Sequence, residues 1–162
     1  MISVLEIIED TTADGPGLRT AIYCAGCVNR CPGCHNPESW DISNGKRMPT
    51  EEILKIILAD PFADVTFSGG DPMFQPESFT ALAKAIKQQS HKNIWCYTGF
   101  LFEILLQNPA QKALLEQIDV LVDGPFIEAL KDEELHFRGS SNQRIIDVQA
   151  SLTKGETVVM DF

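Results

Sequence analysis

The sequence predicts an α/β fold in which a mostly parallel sheet forms a partial, open (β/α) barrel. Short β-prone runs alternate with helical stretches along the chain, which is the order that parallel strands and right-handed crossovers produce. The chain has 162 residues. That length suits about four to six strand–helix units and falls short of the roughly 250 residues of a full eight-stranded barrel. We therefore expect one domain over residues 1–162.

The first predicted strand covers residues 18–24 and runs directly into a cluster of cysteines. A helix is predicted at 50–59, where Thr50 is a suitable N-cap and two glutamates suit the positive end of the helix dipole. Isoleucines spaced three and four residues apart then fall on one helical face. These features predict the first strand–helix unit.

The alternation continues to the end of the chain with decreasing clarity. A β-prone run at 65–67 is stopped by a loop at 68–72, and Pro76 opens a helix with apolar residues at helical spacing. Later strands are predicted at 93–97, 119–122 and 144–148, and later helices at 100–106 and 109–117. Residues 149–162 carry the weakest pattern, which fits either an extra strand at 157–160 or a loose tail.

The segments able to carry chemistry all follow predicted strands. They are the cysteines of 24–34, residues 68–72, residues 97–99 and residues 123–125. The carboxyl ends of parallel strands lie at one edge of a sheet, and ligands bind at that edge in such folds. The sequence therefore predicts a single site there.

Charge and hydropathy exclude several classes of protein. Thirteen basic side chains stand against 23 acidic ones, and the net charge of −10 has the wrong sign for a protein that binds nucleic acid through its phosphates. The chain shows no leader-like start and no run of about 18 apolar residues. We therefore expect a cytoplasmic protein with neither nucleic acid nor membrane as a partner.

Four of the five cysteines lie within residues 24–34, in the order CAGCVNRCPGC. In a cytoplasmic chain, clustered thiols favour metal or redox chemistry over disulfides. A structural zinc site is the simpler alternative. However, zinc modules with four cysteines usually place about a dozen or more residues between the two pairs, and here three residues separate them. The bacterial ferredoxin spacing does not fit either.

Two sets of three cysteines are possible. One is Cys24, Cys27 and Cys31, and the other is Cys27, Cys31 and Cys34. The second set is a CxxxCxxC motif and leaves Cys24 in the preceding strand, where a core position is reasonable. Three thiolates on a cubane iron–sulfur cluster leave one iron without a protein ligand, and that iron can bind a substrate.

The CxxxCxxC motif, followed by Ser68-Gly-Gly-Asp-Pro72, resembles the radical S-adenosylmethionine (SAM) enzymes. The flanking motifs resemble more narrowly the anaerobic ribonucleotide reductase activating proteins. These motifs are DGPGLR at 14–19, WCYTG at 95–99, VLVDG at 120–124 and RGSSNQ at 138–143. The resemblance covers about residues 9–146 and implies a partial barrel of the radical SAM type.

The resemblance implies a [4Fe-4S] cluster held by Cys27, Cys31 and Cys34, with the amino and carboxylate groups of SAM on the fourth iron. An electron from the cluster would cleave SAM to methionine and a 5′-deoxyadenosyl radical, which takes hydrogen from a backbone glycine of the reductase. In such an enzyme the cofactor carries the hard step and the protein positions it. The implied partners are the catalytic subunit of the reductase and an electron donor such as a flavodoxin or ferredoxin.

The resemblance also assigns residues to SAM and to the partner. The two glycines at 69–70 permit a close approach of backbone to ligand, and their carbonyls would accept hydrogen bonds from the SAM ammonium. The residues expected to contact SAM are Gly33, Cys34, His35, Gly69, Gly70, Asp71, Thr98 and Asp123, and the expected partner contacts are Arg138, Ser140, Ser141 and Asn142. Taken alone, the Thr-Gly and Asp-Gly pairs and the Gly-Asp-Pro run are equally typical of plain turns.

Three other functions fit parts of the pattern. They are an activase of the pyruvate formate-lyase type, a radical SAM enzyme with a small-molecule substrate, and a non-catalytic module that binds zinc or an iron–sulfur cluster. Arg19 likewise fits either a structural ion pair or a ligand of the SAM carboxylate. Metal content separates the enzymes from a zinc module, since the former require a cluster of four irons.

Overall fold

A computed structural model describes residues 1–27 and 37–162 of the chain. In this part of the chain the strands are β1 (Ile2–Thr11), β2 (Arg19–Cys24), β3 (Lys46–Met48), β4 (Asp64–Gly69), β5 (Ile94–Tyr97), β6 (Val120–Asp123) and β7 (Arg144–Asp147). The α-helices are α1 (Thr50–Ala59), α2 (Pro76–Gln89), α3 (Phe102–Leu105), α4 (Pro109–Leu115) and α5 (Val148–Lys154). The strands form one sheet in the order β3-β1-β2-β4-β5-β6-β7.

The four central strands of the sheet are parallel. β2, β4, β5 and β6 pair in parallel register, whereas β1, β3 and β7 run antiparallel to their neighbours. The predicted α/β class and parallel sheet are therefore confirmed. β7 was predicted as a strand, and it is antiparallel because no α-helix crosses back over the sheet between β6 and β7. The barrel curvature stays a prediction.

The α-helices α1, α2 and α4 pack on one face of the sheet. The parallel strands advance in one direction, so right-handed crossovers place the connecting helices on the same side. Their apolar side chains join one cluster with Ile22, Phe67 and Cys96 of the sheet. The opposite face carries a smaller cluster formed by Trp95, Val120, Val122 and Ile145. The described part of this second face thus has no α1, α2 or α4 side chains over it.

The two longest predicted helices begin close to the expected residues. α2 starts at Pro76 and buries apolar residues at helical spacing, and each of them is fully inaccessible to solvent: Phe79, Leu82, Ala83 and Ile86. Burial of such side chains stabilises the fold by about 1.5–3 kcal/mol for each large one. Thr50 is the first residue of α1 and Pro49 occupies the N-cap position, so the predicted capping role of Thr50 is wrong.

Three elements were not predicted from the sequence, namely β1, β3 and α5. β1 is buried mainly at its first residues and is half exposed beyond them, which hides the alternation expected of a strand. In the segment expected to be a strand or a tail, α5 is capped by the Asp147 carboxylate, which accepts a hydrogen bond from Ala150 N at 3.1 Å. The expected strand at 157–160 is present only as a single bridge between Val159 and Ile146.

None of the helices in residues 1–27 and 37–162 combines the length and apolar character that a membrane crossing requires.

Arg19 is a buried side chain that joins three segments. Its guanidinium donates hydrogen bonds to Thr66 Oγ1 at 2.8 Å, to Pro16 O at 3.0 Å and to Asn93 Oδ1 at 2.9 Å. It also donates to the carbonyls of Val65 and Asn93 and lies 5.6 Å from the ring of Trp95. These acceptors are neutral, so Arg19 acts as a structural hydrogen-bond donor within the sheet.

We expect Arg19→Met to lower the free energy of unfolding by about 3 kcal/mol or more, because several buried acceptors lose their donor. The measurement is urea unfolding at constant pH. Arg47→Met is the matched control, since Arg47 is exposed on the edge strand β3 and should change stability by about 0.5 kcal/mol at most. Equal effects of the two substitutions would contradict the role given to Arg19.

Candidate active site

The loops that follow the four parallel strands meet at one edge of the sheet, as the sequence predicted. Cys24 in β2 pairs with Gly69 in β4, and the loops after β4 and β5 are joined by the Asp71 carboxylate. The loop after β6 is joined to the loop after β5 by a hydrogen bond from Gly124 N to Phe100 O at 3.3 Å. The structure therefore gathers the described parts of the predicted segments into one region.

The start of the cysteine loop is fixed by backbone hydrogen bonds on two sides. Gly70 N donates to Cys24 O at 2.7 Å, and Asp71 N donates to Gly26 O at 2.8 Å. On the other side, Gly26 N donates to Ser39 O at 2.6 Å, and Cys27 N donates to Trp40 O at 3.2 Å. Cys27 is thus held between the turn after β4 and the segment 37–40, with its side chain partly accessible.

The other predicted residues of the cysteine loop lie outside the described residues. These are Cys31, Gly33, Cys34 and His35. Their assignments to the cluster and to SAM stay predictions.

Gly69 and Gly70 are glycines because the chain's own backbone lies against them. Gly69 has φ +101°, and a Cβ there would lie 2.4 Å from Cys24 N. A Cβ at Gly70 would lie 2.5 Å from Gly26 O and 2.8 Å from Ser39 O. Such contacts are far closer than atoms can approach. Any side chain would therefore push residues 69–71, the diglycine turn, away from the cysteine loop.

Asp71 is a fully buried carboxylate that ties two loops together. Its Oδ1 accepts a hydrogen bond from Met73 N at 2.9 Å. Its Oδ2 accepts from Thr98 Oγ1 at 3.0 Å and from Gly99 N at 2.9 Å. Burial raises the pKa of Asp71 to about 6, and the three hydrogen bonds oppose this shift because they favour the charged form. Asp71 and Thr98 therefore brace the turn after β4 against the loop after β5.

Asp123 ends β6 as a fully buried carboxylate with a cationic partner. It accepts hydrogen bonds from Arg144 Nε at 3.0 Å and Arg144 Nη2 at 2.6 Å, and from Phe102 N at 2.8 Å. Arg144 also binds the Glu103 carboxylate at 2.6 Å. This network holds the start of α3 and the start of β7 against the end of β6.

The predicted partner segment 138–143 is an ordered loop that folds on itself. Ser140 is buried, and its Oγ donates to Asn142 Oδ1 at 2.6 Å and accepts from Ile127 N at 3.2 Å. Asn142 Nδ2 donates to Pro125 O at 2.8 Å, and Arg138 Nη1 donates to Gln143 O at 2.8 Å. Ser141 is exposed at the tip. The loop therefore packs beside the site with Ser141 facing solvent.

Cys24 and Cys96 are buried thiols in the sheet. Both are fully inaccessible to solvent and belong to the cluster on the helix-covered face. Burial raises the pKa of each thiol, because an apolar surrounding disfavours the thiolate. The core position expected for Cys24 is therefore confirmed.

Sequence reasoning missed two side chains that support the site. Gln75 Nε2 donates to Ala25 O at 2.9 Å and its Oε1 accepts from Ser3 N at 2.9 Å, so it links β1 to the cysteine loop. The Tyr23 hydroxyl donates to the Asp14 carboxylate on the face opposite the helices. Burial raises the pKa of Tyr23, and the hydrogen bond to the Asp14 carboxylate raises it further. No local pattern marks these pairs, since their members are distant in sequence or lie in a turn.

The described residues fit one end of an iron–sulfur site. In residues 1–27 and 37–162 no group of three metal-ligating side chains is assembled, and two of the predicted ligands fall outside those ranges. The Cys27 side chain offers a soft sulfur donor on a loop that backbone hydrogen bonds hold, and the half-buried turn of Gly69 and Gly70 lies directly beside it. The donor type and the cradle of backbone agree with such a group.

Comparison with known proteins identifies an iron–sulfur domain in the chain. Residues 13–146 match the family model described as a 4Fe-4S single cluster domain. The chain is 39% identical over 142 residues to the anaerobic ribonucleoside-triphosphate reductase-activating protein of Vibrio cholerae, covering 82% of this chain and 89% of the relative. The proteins of that name from Escherichia coli K12 and Enterobacteria phage T4 are 35% and 33% identical, covering 80% and 82% of this chain and 88% and 85% of theirs.

We expect Asp71→Asn to lower the free energy of unfolding at pH 7 by about 1–3 kcal/mol. An amide has one acceptor oxygen, so either Met73 N or Gly99 N is left facing an NH₂ group. The measurement is urea unfolding of both proteins, with the exposed Asp161→Asn as a control expected to change stability by about 0.5 kcal/mol at most.

The stability difference between wild type and Asp71→Asn should widen as the pH falls from 7 to 5. Asp71 has a pKa of about 6 in the folded chain against 3.8 as its ordinary value. The folded state therefore binds a proton at a higher pH than the unfolded state does. Protonation of Asp71 stabilises wild type as the pH falls through 6, and this stabilisation is lost as the pH rises through 6. A difference that stays constant or narrows would show that burial does not raise the pKa of Asp71 in the folded chain.

Proposed function

The chain belongs to the family of anaerobic ribonucleoside-triphosphate reductase-activating proteins, and from this premise we propose that it generates a glycyl radical on an anaerobic ribonucleotide reductase. It is an enzyme of the oxidoreductase type that acts on another enzyme. When bound, a [4Fe-4S] cluster would supply the electron for reductive cleavage of SAM, and the adenosyl product would take hydrogen from a backbone glycine of the reductase. The residues of the chain would hold the cluster and orient SAM and the glycine relative to it.

The cluster ligands in this proposal are Cys27, Cys31 and Cys34. Cys24 supports this set because its thiol is fully buried in the helix-covered core. Cys96 lies in the same core. Cys27 is the first cysteine after β2. Its side chain is partly accessible, and its amide donates to Trp40 O beside the sheet edge. Soft thiolates are the ligands that iron–sulfur clusters require.

The SAM site in this proposal lies between the cysteine loop and the diglycine turn. The observation that carries it is the pair of backbone hydrogen bonds from Gly70 N and Asp71 N to the carbonyls of Cys24 and Gly26. These bonds fix the turn directly beside Cys27. The residues proposed to line the site are Gly33, Cys34, His35, Gly69, Gly70, Asp71, Thr98 and Asp123. Asp71, Thr98 and Asp123 would act there mainly by holding the loops, because their side chains are at most 5% exposed.

The protein substrate is proposed to approach from the loop edge of the sheet. The main connecting helices lie on one face, and Phe137 and Phe162 pack against Trp95 on the other, so a radical SAM domain curved as a partial barrel would admit the partner from the loop edge. A glycine loop of a partner protein needs such access, whereas a closed barrel would exclude it. The electron would come from a separate donor such as a flavodoxin or ferredoxin.

The test of the function is anaerobic reconstitution with iron and sulfide. We expect about four irons with labile sulfide per chain and no tightly bound zinc. Reduction in the presence of SAM should release 5′-deoxyadenosine and methionine. Adding an anaerobic ribonucleotide reductase should then give a glycyl radical signal in electron paramagnetic resonance (EPR). One zinc per chain, or a loaded cluster without SAM cleavage, would contradict the proposal, and radical formation on pyruvate formate-lyase alone would favour that alternative.

We expect Cys27→Ala, Cys31→Ala and Cys34→Ala each to abolish cluster loading, because each removes one of three thiolate ligands. Cys24→Ala and Cys96→Ala are the matched controls and should retain the cluster, with a loss of stability from the buried cavity. The measurement is iron and sulfide content together with the visible absorption spectrum. A Cys24→Ala protein without cluster, beside a Cys34→Ala protein that retains it, would overturn the ligand set.

The loop of Arg138, Ser140, Ser141 and Asn142 is proposed to contact the reductase. Two hydrogen bonds within the loop and one from Asn142 to Pro125 O hold its backbone, and Ser141 is exposed. We expect Ser141→Arg to weaken glycyl radical formation at least tenfold while SAM cleavage without reductase is unchanged. Gln88→Arg, on the exposed side of α2, introduces the same side chain elsewhere and should leave both activities unchanged. Equal loss of both activities in Ser141→Arg would place the loop's role in SAM cleavage.

A further inference from the structure

The indole nitrogen of Trp40 is a buried hydrogen-bond donor without an acceptor among the atoms of the described chain. An indole offers only a donor, and its direction is fixed by the ring. Leaving such a group buried and unpaired costs about 1–3 kcal/mol, and native proteins contain few such groups. An orphan donor of this kind is explained when a group that binds at that place supplies the acceptor.

Trp40 lies next to the cysteine loop. Its carbonyl accepts the hydrogen bond from Cys27 N at 3.2 Å. The preceding residue, Ser39, accepts from Gly26 N at 2.6 Å, and its carbonyl is 2.8 Å from the position a Cβ of Gly70 would take. The backbone of Trp40 is therefore fixed at the junction of the cysteine loop and the diglycine turn. The other orphan donors, Thr20 Oγ1 and Arg138 Nε, belong to segments that lack these bonds.

We propose that the Trp40 indole N–H donates a hydrogen bond to a sulfur atom of the iron–sulfur centre held by the cysteine loop. This inference rests on the proposed function, because it requires the cluster. Sulfide and thiolate sulfurs are anionic acceptors, and hydrogen bonds to them tune the reduction potential of such clusters. A donor that is already removed from water loses no hydration when it bonds to such an acceptor.

The bond has a defined effect on electron transfer. The reduced cluster carries one more negative charge than the oxidised cluster, so the indole N–H stabilises the reduced form more strongly. Trp40 is thus a positioning residue that makes the cluster easier to reduce. Its removal should shift the midpoint potential to a more negative value.

The test compares Trp40→Phe with Trp95→Phe, which removes the other tryptophan of the chain. Trp95 is buried on the opposite face of the sheet beside Arg19. Iron and sulfide content is measured first, and the midpoint potential is then measured by EPR-monitored titration without SAM. We expect full loading in both proteins. Reduction of Trp40→Phe should be about tenfold less favourable, which equals about 59 mV for one electron, and Trp95→Phe should match wild type.

Each outcome has a separate meaning. An unchanged potential in a fully loaded Trp40→Phe protein would overturn the inference and leave the proposed function intact. A wild-type chain that binds no iron–sulfur cluster would instead contradict the proposed function. A potential that differs from wild type only after SAM is added would also overturn the inference, since the acceptor would then belong to SAM.

A second measurement covers the case in which Trp40→Phe does not fold. The Trp95→Phe protein retains Trp40 as its single tryptophan and can be produced with ¹⁵N in the indole ring. Pulsed EPR of its reduced cluster should show a ¹⁵N coupling without SAM. Absence of that coupling in a loaded, reduced sample would refute a bond from Trp40 to the cluster.

Discussion

The candidate site depends on the contact between two stretches of backbone, residues 24–27 and residues 69–71. Two amides of the diglycine turn donate to two carbonyls of the cysteine loop at 2.7 and 2.8 Å. At this separation a Cβ on Gly69 would overlap the main chain of Cys24, its partner in the parallel pairing of β2 and β4, and a Cβ on Gly70 would overlap the carbonyls of Gly26 and Ser39. The position of Cys27 relative to the turn therefore follows from the absence of two side chains.

Asp71 extends this contact to the neighbouring strand. A buried carboxylate is costly unless its charge is compensated, and here Met73 N, Gly99 N and Thr98 Oγ1 all donate to it. The residue that the resemblance assigns to SAM thus has a structural task of its own. The loops after β4 and β5 form one braced unit, and Cys27 is attached to the same unit through Gly26.

The topology places the supporting helices on one face of the sheet and the candidate site at its loop edge. Helices cover one face of the parallel strands, which stabilises the sheet, and the described loops after these strands meet at one edge of it. An enzyme whose substrate is another protein benefits from this arrangement, because a partner's loop requires an open approach. The polar loop 138–143 lies beside that approach, and its side chains are largely engaged in holding its own shape.

The sequence by itself determined the alternation of strands and helices, the gathering of four loops at one sheet edge and the core position of Cys24, because hydrophobic spacing and turn residues are local signals. Only the tertiary structure decided the partners of single groups: Arg19 meets Asn93, 74 residues away, and Asp71 meets Gly99. The antiparallel return of β7 belongs to the same class. Such contacts depend on segments that no local pattern relates, since folding alone brings them within bonding distance.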